Sequence, residues 1–180
     1  HEFELFDLPY LFRSVEEVHK ITDGRVGVKL LKKLEQRGLK GLAYWDNGFK
    51  HFSANRPLRE LIHFKGLKVR IQSSKVIEAT MRRLRAMPQV MAFSEVYTAL
   101  QQGVVDGTEN PISNLYTQKM HEVQSHLTLS YHGYLVYAVV TNKQFWEGLD
   151  GGVRKKLERA LREATMYESC LLYTSAAADE

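Results

Sequence analysis

An alternation of strand and helix signals, each closed by its own stop residue, limits this fold more than any other feature. Leu67-Lys68-Val69-Arg70-Ile71-Gln72 puts Leu67, Val69 and Ile71 on one face and three polar residues on the other, the period of a half-buried strand opened by Gly66. A helical period follows from Ser74 to Ala86, then a short strand over Val90 to Ala92. Ser94 is an expected N-cap for a helix from Glu95 to Gln102 that Gly103 ends, and Val104 to Gly107 reads as a brief strand. Strands that take turns with helices predict an α/β architecture with largely parallel sheets.

The flanking segments obey the same logic. Ser14-Val15-Glu16-Glu17 is a capping box, in which hydroxyl and carboxylate satisfy orphan N–H groups at the start of a helix running to about Ile21. A second helix runs from Gly24 to Gly38 with Val26, Leu30, Leu31 and Leu34 on one face. Leu39 to Trp45 reads as a strand, Asp46-Asn47-Gly48 as a turn, and Phe49 to Ser53 as another strand. Asn110-Pro111 reads as an N-cap followed by proline at the first helical position. Tyr134 to Val140 is an expected buried strand, and Asp150 caps a helix to about Glu168. The last stretch, 169–180, has neither period and is expected to be a non-native tail outside the fold.

Composition removes several classes of function. No apolar run approaches the roughly 18 residues of a membrane-spanning helix. A net charge of +4 is spread at helical spacings beside acids, without a basic stripe interleaved with aromatics, so no nucleic-acid partner is expected. The single cysteine, Cys170, excludes disulfide frameworks and cysteine-rich zinc sites from the body of the chain. The seven histidines form no HExxH, HxH or triad-like pattern, so no catalytic residue, cofactor or metal is expected. His126 and His132 read as surface or sheet-edge residues, and Asp106, in a Val-Val-Asp-Gly turn, as a backbone hydrogen-bonder.

Arg70 stands apart. It lies near the end of a strand built for burial, and ligands of α/β sheets sit beyond the carboxyl ends of strands. A guanidinium there can hold a carboxylate through two parallel hydrogen bonds. The same spacing also fits a surface arginine on an edge strand.

The stretch FSEVYTALQQGVVDGTENP (Phe93 to Pro111) resembles the signature of DctP-type substrate-binding subunits of TRAP (tripartite ATP-independent periplasmic) transporters. FDLPYLF (Phe6 to Phe12), WDNGFKHF (Trp45 to Phe52), RPL (Arg56 to Leu58), FKGLKVR (Phe64 to Arg70), HEVQSHLTLSYH (His121 to His132) and TNKQFW (Thr141 to Trp146) resemble further blocks in the same order. The resemblance runs from about residue 1 to 168. It implies a two-domain, periplasmic-binding-protein-like receptor with a hinged ligand cleft, located in the periplasm, which captures a small organic acid and delivers it to the membrane subunits of the transporter.

Residue by residue, the resemblance implies that Arg70 bonds the ligand carboxylate, Phe93 packs on the ligand, Asn110 contacts the carboxylate or its neighbour, and Ser73 adds a polar contact. The family commonly has arginine after the phenylalanine of the WDNGF block; Lys50 stands there and keeps the charge without the planar fork. The expected domains are 1–47 and 136–168 for the first, incomplete one and 48–135 for the second, with family segments, including a signal peptide, expected beyond both ends. The rival readings are a ligand-sensing domain of a signalling protein and a small-molecule α/β enzyme using the same cleft.

Overall fold

The computed structural model describes residues 2–176, and the side chains of residues 2–171. The chain divides into two compact units: 1–11 with 48–135, and 12–47 with 136–180. Two long strands each belong to both units: β1 (Leu39–Ala54) and β5 (His126–Asn142).

In the unit 12–47 with 136–180, α1 (Val15–Thr22) begins where the capping box predicts, the Ser14 hydroxyl accepting from Glu17 N–H. α2 (Arg25–Lys33) is shorter than its period suggests. Its last turn tightens to a 3-10 helix, Leu34–Arg37, which ends at Gly38 with φ 73°, a left-handed conformation that glycine adopts without a Cβ clash. α6 (Lys143–Gly148) follows β5, capped by the Asn142 side chain on Phe145 N–H. α7 (Gly151–Ala176) begins under Asp150, whose Oδ1 accepts from Gly152 and Val153 N–H. It runs well past Glu168, so the described part of the segment expected to lack helical period continues α7. The rest of that segment, 177–180, lies outside the described residues.

In the unit 1–11 with 48–135, β2 (Lys68–Ile71), α3 (Lys75–Arg83), β3 (Met87–Val90), α4 (Val96–Gln101), β4 (Gly107–Asn110) and α5 (Ile112–Thr117) follow one another. Among the described residues the sheet has the order β3-β2-β4-β1-β5. β2 is parallel to β3 and β4, whereas β1 is antiparallel to β4, so the sheet is mixed rather than largely parallel. A Cβ at Gly107 would lie 2.4 Å from Ser53 O, so only glycine lets β4 start this close to β1.

Three sequence readings are corrected here. Asp46-Asn47-Gly48 is not a turn: β1 passes straight through it, and Gly48 takes φ 115° without reversing the chain. Asn110 is the last residue of β4 rather than an N-cap, and Pro111 caps α5 instead. Within the apolar run 134–140 only Tyr134 is fully buried, because β5 is an edge strand of the sheet.

Strand alternation sorts the core of this unit into two layers. Phe52, Ala54, Val69 and Ile71 face α3 and pack with Ile77 and Met81. The opposite layer is built from α4 and α5, with Val96, Leu100, Val105, Leu115 and Met120 as its centre.

Candidate functional site

Arg70 ends up nearly sealed in protein, 5% exposed, yet among the described residues its guanidinium forms no ion pair. The sequence already explains why it is held: β2 pairs on both sides, so its third residue is fixed between Gln89 of β3 and Thr108 of β4. Nε and Nη2 both donate to the carbonyl of Met91, at 3.1 and 2.8 Å. That leaves the terminal edge of the fork, with N–H groups on Nη1 and Nη2, available to a planar anion. Burial lowers the guanidinium pKa, and the Glu109 charge acts the other way. An arginine with an ordinary pKa above 12 stays charged under such a shift.

Phe93 and Asn110 join Arg70 on one face of the sheet. The Arg70 cation lies 5.5 Å from the centre of the Phe93 ring, a cation–π contact that also keeps the ring face half-buried beside the charge. Asn110 shares its strand face with Thr108, two residues away, and donates from Nδ2 to Thr108 Oγ1 at 2.9 Å and towards Met120 Sδ at 3.9 Å. Thr108 Oγ1 in turn donates to Arg70 O at 3.5 Å. Phe93 opens a 3-10 turn, Phe93–Glu95, that runs into α4, and Ser94 is not the cap expected of it. Ser73 is exposed beyond the end of β2; the buried serine is its neighbour Ser74, which caps α3 on Ile77 N–H at 3.3 Å.

Lys50 is not brought to this group. In β1 it shares a face with Phe52, which pairs with Glu109, and so lies on the side of the sheet opposite Arg70 and Asn110. It is 2% exposed, with Nζ 3.2 Å from Glu109 Oε2 and 3.4 Å from Asp7 Oδ1. His132 Nε2 is 3.5 Å from the same Glu109 oxygen, and its ring stacks on Phe52 at 4.1 Å. His132 is therefore a buried residue of the edge strand β5, as the sheet-edge reading has it and the surface reading does not. Burial pushes the Glu109 carboxyl up, but Lys50 and His132 outweigh it and leave the pKa below the ordinary value. At Asp7 burial wins over Lys50 and the pKa is raised. Asp7, Glu109 and His132 were not legible as one group, since Asp7 and Glu109 lie 102 positions apart and register between β1 and β4 brings only Glu109 to Lys50's face. Asp106 holds the backbone role its turn suggests, with Oδ2 accepting from Lys68 N–H at 2.8 Å.

His51, beside Lys50 but on the Arg70 face, carries a pH dependence. Its Nδ1 accepts from the N–H groups of Ser130 and Tyr131 at 3.1 and 3.3 Å, around a kink where Tyr131 has φ 48°. A ring that accepts at Nδ1 must be neutral, and burial, then the His132 charge, push its pKa down to about 4. In the unfolded chain the pKa returns to about 6.5, so the unfolded state binds more protons between the two values. The contribution is complete above pH ~6.5 and is lost as pH falls through about 4. Urea unfolding is expected to show a His51-dependent loss of roughly 2 kcal/mol between pH 7.5 and 4.5. His51→Asn, which retains an acceptor without a titrating ring, should flatten that slope; an unchanged slope would rule out His51 as its source.

Chemically, a buried guanidinium with a free donor edge and an aromatic ring beside it can hold a planar carboxylate. Comparison with known proteins agrees on the family. The model of bacterial extracellular solute-binding protein family 7, DctP, matches residues 1–177. The C4-dicarboxylate-binding periplasmic protein DctP of Rhodobacter capsulatus is 64% identical over 166 residues, 92% of this chain and 50% of that protein. A TRAP periplasmic solute-binding protein from Sulfurospirillum deleyianum, solved with bound succinate, superposes with a TM-score of 0.90 at 49% identity, covering 93% of this chain and 54% of that one. A second, from Shewanella oneidensis and also with bound succinate, gives 0.94 at 40% identity, covering 99% and 58%. The chain thus spans about half the length of the relatives it matches. The α/β architecture read from the residues is that of these two-domain receptors, and the chain belongs to the DctP family, family 7 of the bacterial extracellular solute-binding proteins.

Proposed function

We propose that the protein is the periplasmic receptor of a TRAP transporter, that it captures a C4-dicarboxylate such as succinate, and that it hands this acid to membrane permease subunits. The carrying observation is the Arg70 guanidinium, buried without an ion pair among the described residues. A buried cation is costly unless something neutralises it, and a ligand carboxylate on its terminal edge does so with two charge-assisted hydrogen bonds. Phe93 supplies apolar contact and Asn110 a polar neighbour, while Lys50 acts at a distance by fixing Glu109, whose charge reaches Arg70. Ser73 is given no ligand contact in this reading. Binding and release complete the task, so no group is asked to make or break a covalent bond. The succinate in the two solved relatives and the name of the R. capsulatus protein support the choice of acid.

Calorimetric titration of the protein as its gene encodes it, with succinate, L-malate, lactate and a neutral diamide of succinate, tests the reading. Micromolar binding of the first two, with lactate weaker and the diamide silent, is expected. Binding of the diamide as tightly as succinate would defeat a carboxylate-gripping site.

A further inference from the structure

In the same unit as Arg70, but at the opposite ends of β2 and β3, the chain braces an exposed apolar pair inside a cluster of cations. We infer that this pole is a docking surface for an anionic phospholipid membrane, a role separate from ligand capture. Leu61 and Ile62 stand at the tip of a 3-10 turn, Leu61–Phe64, and are 73% and 58% exposed, while Phe64 from the same turn is buried. The turn is held rigidly. Glu60 and His63 form a reciprocal capping box, with His63 Nδ1 accepting from Arg59 and Glu60 N–H at 3.1 and 3.2 Å. Arg56 Nη2 ties the far side by donating to the carbonyls of His63 and Lys65 at 2.9 and 3.3 Å.

The cations come from two segments knitted side by side, since Gly66 N–H donates to Arg85 O at 2.9 Å and Met87 N–H to Leu67 O at 2.8 Å. Arg59, Lys65, Lys68, Arg83 and Arg85 are all exposed, and among the described residues none of them forms an ion pair. Arg85 does so at φ 62°, a left-handed conformation that costs least for glycine or asparagine. The acids beside them are engaged elsewhere: Glu60 in the capping box, Glu78 in an ion pair with Arg82, and Asp106 on the backbone N–H of Lys68.

Neither the exposed pair nor the crowded cations help this unit fold: the first leaves apolar surface in water and the second repel one another. At an anionic bilayer both become favourable, because the apolar tips enter the headgroup boundary while the cations meet phosphates. A lipid surface fits better than an acidic protein, because the cations flank a protruding tip instead of converging into a socket. A layer of headgroups needs no shape match.

Sedimentation with vesicles tests this, using equal parts phosphatidylglycerol and phosphatidylcholine against phosphatidylcholine alone. The protein as its gene encodes it should bind the anionic vesicles only, and raising salt from about 0.05 to about 0.5 M should weaken binding at least tenfold. Leu61→Ser with Ile62→Ser should lose about tenfold, and Lys65→Glu with Arg85→Glu should abolish binding, with succinate titration unchanged in both. If the charge reversal misfolds, Lys65→Gln with Lys68→Gln gives the same reading through a smaller loss, about fivefold for each cation removed. Equal binding to neutral vesicles, no binding to either, or full binding by the variants would overturn the inference. So would capture by polyglutamate through these residues without vesicle binding, which would assign the pole to an acidic protein.

Discussion

Arg70→Ala is expected to weaken succinate binding by roughly 30-fold to several thousandfold while leaving the fold intact. Removing one member of a desolvated charge pair costs about 2–5 kcal/mol, because the other charge stays buried without a partner. The ligand carboxylate is here the stranded member. The fold should tolerate the change, since Arg70 is a buried cation with no protein counter-ion among the described residues; what it loses is the pair of hydrogen bonds to Met91 O. Arg70→Lys should recover only part of the affinity, because an ammonium can neutralise the carboxylate but cannot present two parallel donors in one plane. Calorimetric titration of the variants, with a thermal melt of each in the absence of ligand, separates binding from stability. A dissociation constant for Arg70→Ala within about threefold of wild type, a change below roughly 0.7 kcal/mol, would remove Arg70 from the site.

Lys50→Met should have the opposite signature, a large loss of stability in the unit that carries it. Lys50 is the cation between two buried carboxylates, Asp7 and Glu109, and its removal leaves Glu109 with only His132 close by and Asp7 with the neutral Gln72 amide. Breaking a buried ion pair in this way costs on the order of 3–5 kcal/mol. Lys50→Arg keeps the charge and should cost far less, although Gly133 lies close beside the Lys50 stem, where a Cβ would come 3.4 Å from Lys50 Cδ. In Lys50→Met the two carboxyls acquire folded pKa values above their unfolded ones. Their protonated forms then favour folding, so the deficit against wild type should be full at pH 7.5 and should shrink as pH falls towards 4.5. The His51 titration is common to both proteins and cancels in the difference. Urea unfolding at the two pH values reads the effect, and a deficit under about 1 kcal/mol at pH 7.5 would show that the network is solvated and not a buried pair.

The two substitutions also separate what a one-dimensional reading treats alike. Arg70 and Lys50 both look like cations for an organic acid, one from strand position and one from its place in a family block. Their difference is a matter of which face of one sheet each points to, and that depends on register. Phe52 pairs with Glu109 and Arg70 with Thr108. Because the side-chain period of a strand is two, these pairings send Lys50 and Glu109 to one face and Arg70, Thr108 and Asn110 to the other. No property of Lys50 as a residue announces that it will meet Asp7, which lies 43 positions earlier in a 3-10 turn.

By itself the sequence determined the elements whose causes are local. Ser14 caps α1, Asp150 opens α7, Gly38 ends the turn after α2, and the alternation around Val69 and Ile71 makes a strand. It also determined the family and singled out Arg70, because position at a strand end and a planar cation are both readable from residue types in order. Tertiary structure alone decided that Asp46-Asn47-Gly48 continues a strand, that Asn110 closes β4 instead of capping a helix, and that Lys50 lies between Asp7 and Glu109 on the face opposite Arg70. Each of these turns on hydrogen bonds and burial supplied by segments far away in the chain. Local propensities differ by about 1 kcal/mol or less, so a paired strand or a desolvated charge outweighs them.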